Sequence, residues 1–150
     1  MRLLFGLLLY SSSFLLYGQE ASLDRLIDDW HKDAAIASFD SYFSVTTADF
    51  IFLGTAPGER WVKEDFKKFC KPYFDKGKAW DFEPLNRKWS FSEDHKTAWF
   101  DEDLKTWMED CRATGICVFK EGKWNIAYYN LHVLIENEKI QEFISLRKEK

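Results

Sequence analysis

The sequence predicts an α+β roll, a long N-terminal helix packed in a curved antiparallel sheet, and three observations predict it. Apolar residues recur at helical spacing from Ala21 to Thr46, and the period changes to two between Trp80 and Leu134. Within that second stretch, polar turns at hairpin distances separate the apolar runs. With 150 residues, 46% of them apolar and 18% aromatic, the chain suits one domain with a core of its own. A net charge of -4 argues against a nucleic-acid partner, which would favour a basic stripe.

The elements follow in order. Met1-Arg2, the run LLFGLLLY, three serines and FLLYG read as a secretory leader over residues 1–19, followed by one domain over 20–150. Leu16 stands where a cut after Gly18 prefers a small residue, and a cut after Ala21 is an alternative. The serines interrupt the apolar run, so no stable membrane span is expected after processing and the domain is placed in the periplasm or outside the cell. In the first domain helix Leu23, Leu26, Ile27, Trp30, Ala34, Ala37 and Ser41 form one stripe, with Asp24, Asp28, Asp29, Lys32 and Asp33 on the solvated side. ADFIFLG is a short strand ended by Gly54. KEDFKKFCKPYFDKGK is helical with Phe66, Phe69, Cys70, Tyr73 and Phe74 on one face, divided at Pro72 and stopped by Gly77. Strands are expected in WSFSEDHKTAWF on either side of Ser92–Lys96, then over Ala98–Met108, Arg112–Phe119 and Trp124–Ile135, with a turn at Glu121-Gly122-Lys123. Asn137 caps a final helix carrying Ile140, Phe143 and Ile144.

Cys70, Cys111 and Cys117 form no CxxC pair. Cys111 and Cys117 lie too far apart along one extended strand to bridge, while a disulfide from Cys70 to either stays open beside the reading of all three as small buried hydrophobes.

WHKDAA, FLGTAPGERW, YFDKGKAWDF, AWFDEDL and CRATGICVF with KWNIAYYNLHV resemble the SnoaL-like branch of the nuclear transport factor 2-like superfamily, over roughly Ala21 to Lys139. The resemblance implies a cone-shaped roll with a conical pocket and frequent homodimers. The wider superfamily includes ketosteroid isomerase, polyketide cyclases, dehydratases and non-catalytic binding or oligomerisation modules. Ala56 stands where such relatives usually carry Asp, and Leu134-Ile135-Glu136-Asn137 where they tend to have Pro-Ile-Pro-Asn.

GTAPGERW has the look of a phosphate loop, but Glu59 follows Gly58 where Lys and a hydroxyl would be needed, so a structural turn is the better reading. For acid–base chemistry the candidates are Asp101 and His31. Alternation puts Trp99, Asp101 and Asp103 on one strand face, where an indole-lined pocket would raise the Asp101 pKa; pairing of Asp101 with Arg112 is the competing reading. His31 next to Trp30 can point into the cone mouth; the competing readings are a hydrogen-bonded packing residue and a pair with Asp28. Trp124, Ile126, Tyr128, Asn130 and His132 share one face of the last strand, and Tyr128 or His132 there can donate to a ligand oxygen. The expected lining is Trp30, Trp61, Trp99, Arg112, Tyr128 and His132. His95 falls in an exposed turn, and no metal-ligand spacing or cofactor motif is visible. Three functions stand open: a binder of a small apolar or carbonyl-containing ligand, a cofactor-free isomerase, cyclase or dehydratase, and a homodimeric interaction module.

Overall fold

The computed structural model describes residues 3–148, with side chains from residue 18 onward. The leader expected over residues 1–19 therefore falls largely outside the described side chains. Among the described residues no helix is long and apolar enough to cross a membrane.

Helix α1 (Leu3–Ala35) buries Leu23, Ile27, Trp30 and Ala34 of the predicted stripe, with Leu26 half-buried and Ala37 and Ser41 beyond its end. It does not run on to Thr46. Ala37 takes a left-handed conformation (φ 56°), Ser38 N–H donates to Asp33 O at 2.7 Å and Ala37 N–H to Ala34 O at 3.1 Å. This is the Schellman closure, here with Ala where Gly is usual, and it turns the chain into the short helix α2 (Phe39–Ser44). Helix α3 (Lys63–Phe74) is unbroken, contrary to the expected division at Pro72, because the proline sits in the last turn and removes one bond only. Asp75 N–H still reaches Lys71 O at 3.0 Å, and Gly77 (φ 81°) ends the turn. The chain closes with a 3-10 turn over Asn137–Lys139, led by Glu136 with no side-chain cap in place of the expected Asn137 cap, and helix α4 (Ile140–Lys148).

The sheet contains β1 (Thr46–Leu53), β2 (Arg60–Val62), β3 (Glu83–Phe91), β4 (Thr97–Thr106), β5 (Glu109–Lys120) and β6 (Lys123–Val133), in the order β2-β1-β6-β5-β4-β3. The β3 to β6 meander is antiparallel as expected. The sheet as a whole is mixed, since β1 pairs parallel with β6. Strand β2, expected as loop, pairs antiparallel with β1 and places Trp61 opposite Phe52.

Between α1, α3 and the sheet the space expected to be hollow is packed with rings. Trp30, Tyr42, Phe50, Phe66 and Tyr129 are each at most 1% exposed. Trp30 stacks on Tyr42 at 4.7 Å between centroids and meets Tyr129 edge-on at 4.8 Å, and Phe52 stacks on Phe66 at 4.1 Å. Such pairs add about 0.5–1.5 kcal/mol each beyond their burial. All three cysteines are free and buried, which settles the disulfide question raised by the sequence.

One polar atom in this core is out of place. The Tyr42 hydroxyl is buried beside the Trp80 side chain and makes no hydrogen bond of normal geometry among the described residues. An unpaired buried hydroxyl costs about 1–3 kcal/mol. Tyr42→Phe is therefore expected to leave the fold intact and raise stability by up to about 1 kcal/mol, read as a higher urea midpoint at unchanged slope.

Candidate functional site

The polar centre of the molecule is Glu102. It lies on β4 between Phe100 and Leu104, faces inward with them, and is 0% exposed. Its Oε1 accepts from His31 Nε2 at 2.8 Å and from the Tyr129 hydroxyl at 2.9 Å. Its Oε2 accepts from Arg87 Nε at 2.8 Å, with the Nη2 of the same guanidinium in ion-pair contact at 2.8 Å. Arg87 reaches on from there to α1, donating through Nη1 to Asp24 at 3.1 Å and through Nη2 to Asp28 at 2.8 Å. The Trp89 indole N–H donates to the same Asp24 carboxylate at 2.8 Å.

A bulge puts Arg87 there. Leu85 opposes Asp103 and Lys88 opposes Asp101, so Asn86 and Arg87 together face Glu102 alone, with Asn86 at φ 52°. The extra residue turns the guanidinium inward beneath the sheet. Gly115 makes the second allowance. It sits between Phe100 and Tyr129 across the strands, and its missing side chain leaves room for the Phe100 ring.

Burial pushes the Glu102 carboxyl up, but the hydrogen bond from His31 and the charge of Arg87 outweigh it and hold the group below the usual carboxylate range. Burial, reinforced by the Glu102 charge, pushes the Tyr129 phenol well above its ordinary value. For Arg87 burial opposes the charge, yet Glu102 and Asp28 keep the guanidinium above its ordinary value. The signs fix a stability profile. A depressed carboxyl contributes fully above its unfolded value, about 4.3, and the contribution is lost as pH falls toward the folded value. A raised phenol contributes below about 10 and is lost as pH rises. Urea unfolding across pH is thus expected to show a plateau bounded by both limbs, with Glu102→Gln flattening the acid limb.

Glu102 accepts from three side-chain donors, is in ion-pair contact with the rest of the Arg87 guanidinium, and is sealed from solvent. With its oxygens held from four elements and no solvent-facing surface, the carboxylate acts as a pin joining α1, β3, β4 and β6. Among the described residues no group of three or more His, Cys, Asp or Glu side chains could hold a metal ion.

The predicted site residues divide between the two faces of the sheet. Trp30 and His31 lie inside, and Trp61 packs on Phe69 at 5.1 Å beside α3. His31 is a buried packing residue hydrogen-bonded to Glu102, neither open at the cone mouth nor paired with Asp28. Asp101 and Trp99 lie on the outer face, both exposed, so the apolar setting expected for Asp101 does not form and it cannot meet His31. Arg112 pairs with Asp103 at 3.0 Å, not with Asp101. His132 is exposed, accepting from the Asn130 amide at 3.2 Å and donating to Arg112 O at 3.2 Å. Tyr128 also faces outward, because a bulge at Ala127 reverses its side relative to Ile126: Ile116 opposes Tyr128, but Cys117 opposes Ile126.

The GTAPGERW loop is closed on itself. Glu59 Oε2 accepts from Ala56 N–H at 3.0 Å, Gly54 N–H donates to Glu59 O at 2.9 Å, and Gly58 takes φ 86°. The Glu59 carboxylate fills the concavity a phosphate would need.

Two residues of the centre, Glu102 and Arg87, were not candidates from the sequence. For Glu102 a signal existed, an acid flanked two residues away on both sides by Phe100 and Leu104.

The SnoaL-like domain family matches residues 23–136, and the chain belongs to it. No curated protein matches. Among solved structures, a nuclear transport factor 2-like protein of unknown function from Pseudomonas putida KT2440 superposes with a TM-score of 0.67 at 11% identity, over 82% of this chain and 92% of that one. A predicted scytalone dehydratase from Novosphingobium aromaticivorans DSM 12444 gives 0.62 at 14%, over 83% and 89%. A predicted calcium/calmodulin-dependent protein kinase II association domain from Xanthomonas campestris gives 0.58 at 17%, over 76% and 86%. At these identities the likeness is one of fold.

Proposed function

We propose that this SnoaL-like domain is a self-associating module, a homodimer formed through the outer face of its sheet. The observation that carries this is a row of apolar side chains crossing five strands without interruption: Val62, Ile51, Tyr128, Ile116 and Trp99 stand opposite one another in register. Val62 is 47%, Trp99 46% and Ile116 36% exposed. A contiguous apolar row on an otherwise polar surface marks an interaction face, and the charged and polar residues beside it (Asp101, Arg112, Asn130, His132) supply a rim. A two-fold dimer uses the same patch twice, which suits one central stripe with hydrophilic flanks. The Xanthomonas neighbour named as an association domain lends the reading support at the level of fold.

The apolar run behind Arg2 places the domain outside the cytoplasm in this reading. One experiment addresses both parts. Protein recovered from the periplasm or medium of an expressing bacterium is sequenced from its N-terminus and run in a sedimentation experiment. The expectation is a chain lacking about the first 19 residues, dimeric at micromolar concentration, while Ile116→Lys is folded and monomeric. A monomeric parent, or a variant that stays dimeric, contradicts the self-association; an intact N-terminus on intracellular protein contradicts the export.

A further inference from the structure

On the opposite side of the sheet from the apolar row, α1 and the β5–β6 hairpin border an open groove of about 810 Å³, with Gly18 and Gln19 at one end. Its wall is aromatic. Phe119 and Trp124 meet edge-to-face at 5.4 Å between centroids, and Leu26 closes the floor from the helix. Phe119 remains 39% exposed, so the core does not use this ring face. Two cations border the same space, Arg25 from α1 and Lys123 from the start of β6, and neither forms an ion pair among the described residues. Asp29 stands one helical turn beyond Arg25 and also lines the groove.

Each feature selects for a part of a ligand. Exposed aromatic faces with the floor leucine favour a flat ring. Two unpaired cations at its rim favour an anion, and the arginine fork suits a carboxylate in particular. The Asp29 carboxylate would repel that anion if close, but it accepts from a hydroxyl at the far end of the ring. The volume lies within the range of small-molecule pockets, about 300–1,000 Å³.

We propose that this groove binds a small hydroxylated aromatic carboxylate, with its ring against Phe119 and Trp124, its carboxylate at Arg25 and Lys123, and its hydroxyl toward Asp29. The site is independent of the self-association reading, because its residues face the helix side of the sheet; the export reading removes Gly18 and Gln19 from one end of the groove and leaves Arg25, Leu26, Asp29, Phe119, Lys123 and Trp124 in place. It also differs from the interior pocket implied by the family resemblance, which rings and the Glu102 centre occupy.

The test is calorimetric titration of the protein as recovered from the expressing bacterium with 4-hydroxycinnamate and with its neutral methyl ester, with the tryptophan indole N–H signals followed by NMR. The expected result is saturable binding of one acid per chain, at least tenfold tighter than the ester, with the Trp124 indole shifting most. In the double variant Arg25→Ala/Lys123→Ala, whose two positions are exposed and leave the core untouched, the acid is expected to fall to the affinity of the ester. No saturable binding of the acid, equal affinity for acid and ester, an unaffected double variant, or shifts confined to indoles away from the groove would each overturn the proposal.

Discussion

Glu102→Leu is expected to cost about 3–5 kcal/mol of folding stability, the range for breaking a buried ion pair from one side. The substitution removes the acceptor for three donors at once. His31 and Tyr129 lose their only side-chain partner in the centre, and Arg87 keeps only Asp24 and Asp28, whose carboxylates are half exposed. A domain of this size holds roughly 5–15 kcal/mol in total, so the variant should unfold at a far lower urea concentration or fail to accumulate. Glu102→Gln, which keeps the shape and one acceptor oxygen, should fall between. A loss under 1 kcal/mol for the leucine variant, measured by urea unfolding at pH 7, would contradict the assignment of Glu102 as the pin of the fold.

The second large effect is expected at Gly115. A Cβ built there would come inside 3.0 Å of Phe100 Cε1 and Cζ. The Phe100 ring has little freedom to move: Trp89 packs on it at 4.7 Å and the Arg87 guanidinium lies 5.8 Å above its centre. Gly115→Ala is expected to destabilise by about 1–3 kcal/mol through overpacking, and Gly115→Val by more. The two variants carry a signature beyond stability. A displaced Phe100 disturbs Arg87, so the acid limb of the pH profile should shift as well, an effect absent from a purely steric defect elsewhere in the core. Phe100→Leu in the Gly115→Ala background should recover part of the loss, since the smaller side chain vacates the contested volume.

The parts of this molecule set by local chemistry were legible in the sequence. The α1 stripe of Leu23, Ile27, Trp30 and Ala34, the polar turn at Ser92–Lys96 and the hairpin at Glu121-Gly122 each follow from spacing or turn residues. Alternation on β4 sorted Trp99, Asp101 and Asp103 from Phe100, Glu102 and Leu104 correctly. What it left open was which set faces inward, and the indole made the wrong set attractive. The decision rests on Arg87, and Arg87 reaches Glu102 only because β3 holds one residue more than its partner strand. Likewise Tyr128 leaves the company of Ile126 through a bulge that period-two reasoning cannot register. The parallel pairing of β1 with β6 joins segments separated by the whole meander, so no local pattern announces it.

In the proposed dimer, the outward row from Val62 to Trp99 is the contact between two copies. Isotope-filtered NMR on a mixture of labelled and unlabelled chains reads this directly. The expected result is a set of nuclear Overhauser contacts between molecules that involve the Ile51 and Ile116 methyl groups and the Trp99 and Tyr128 rings. Intermolecular contacts arising only from other surfaces, or none at a concentration where sedimentation finds a single chain, would contradict it.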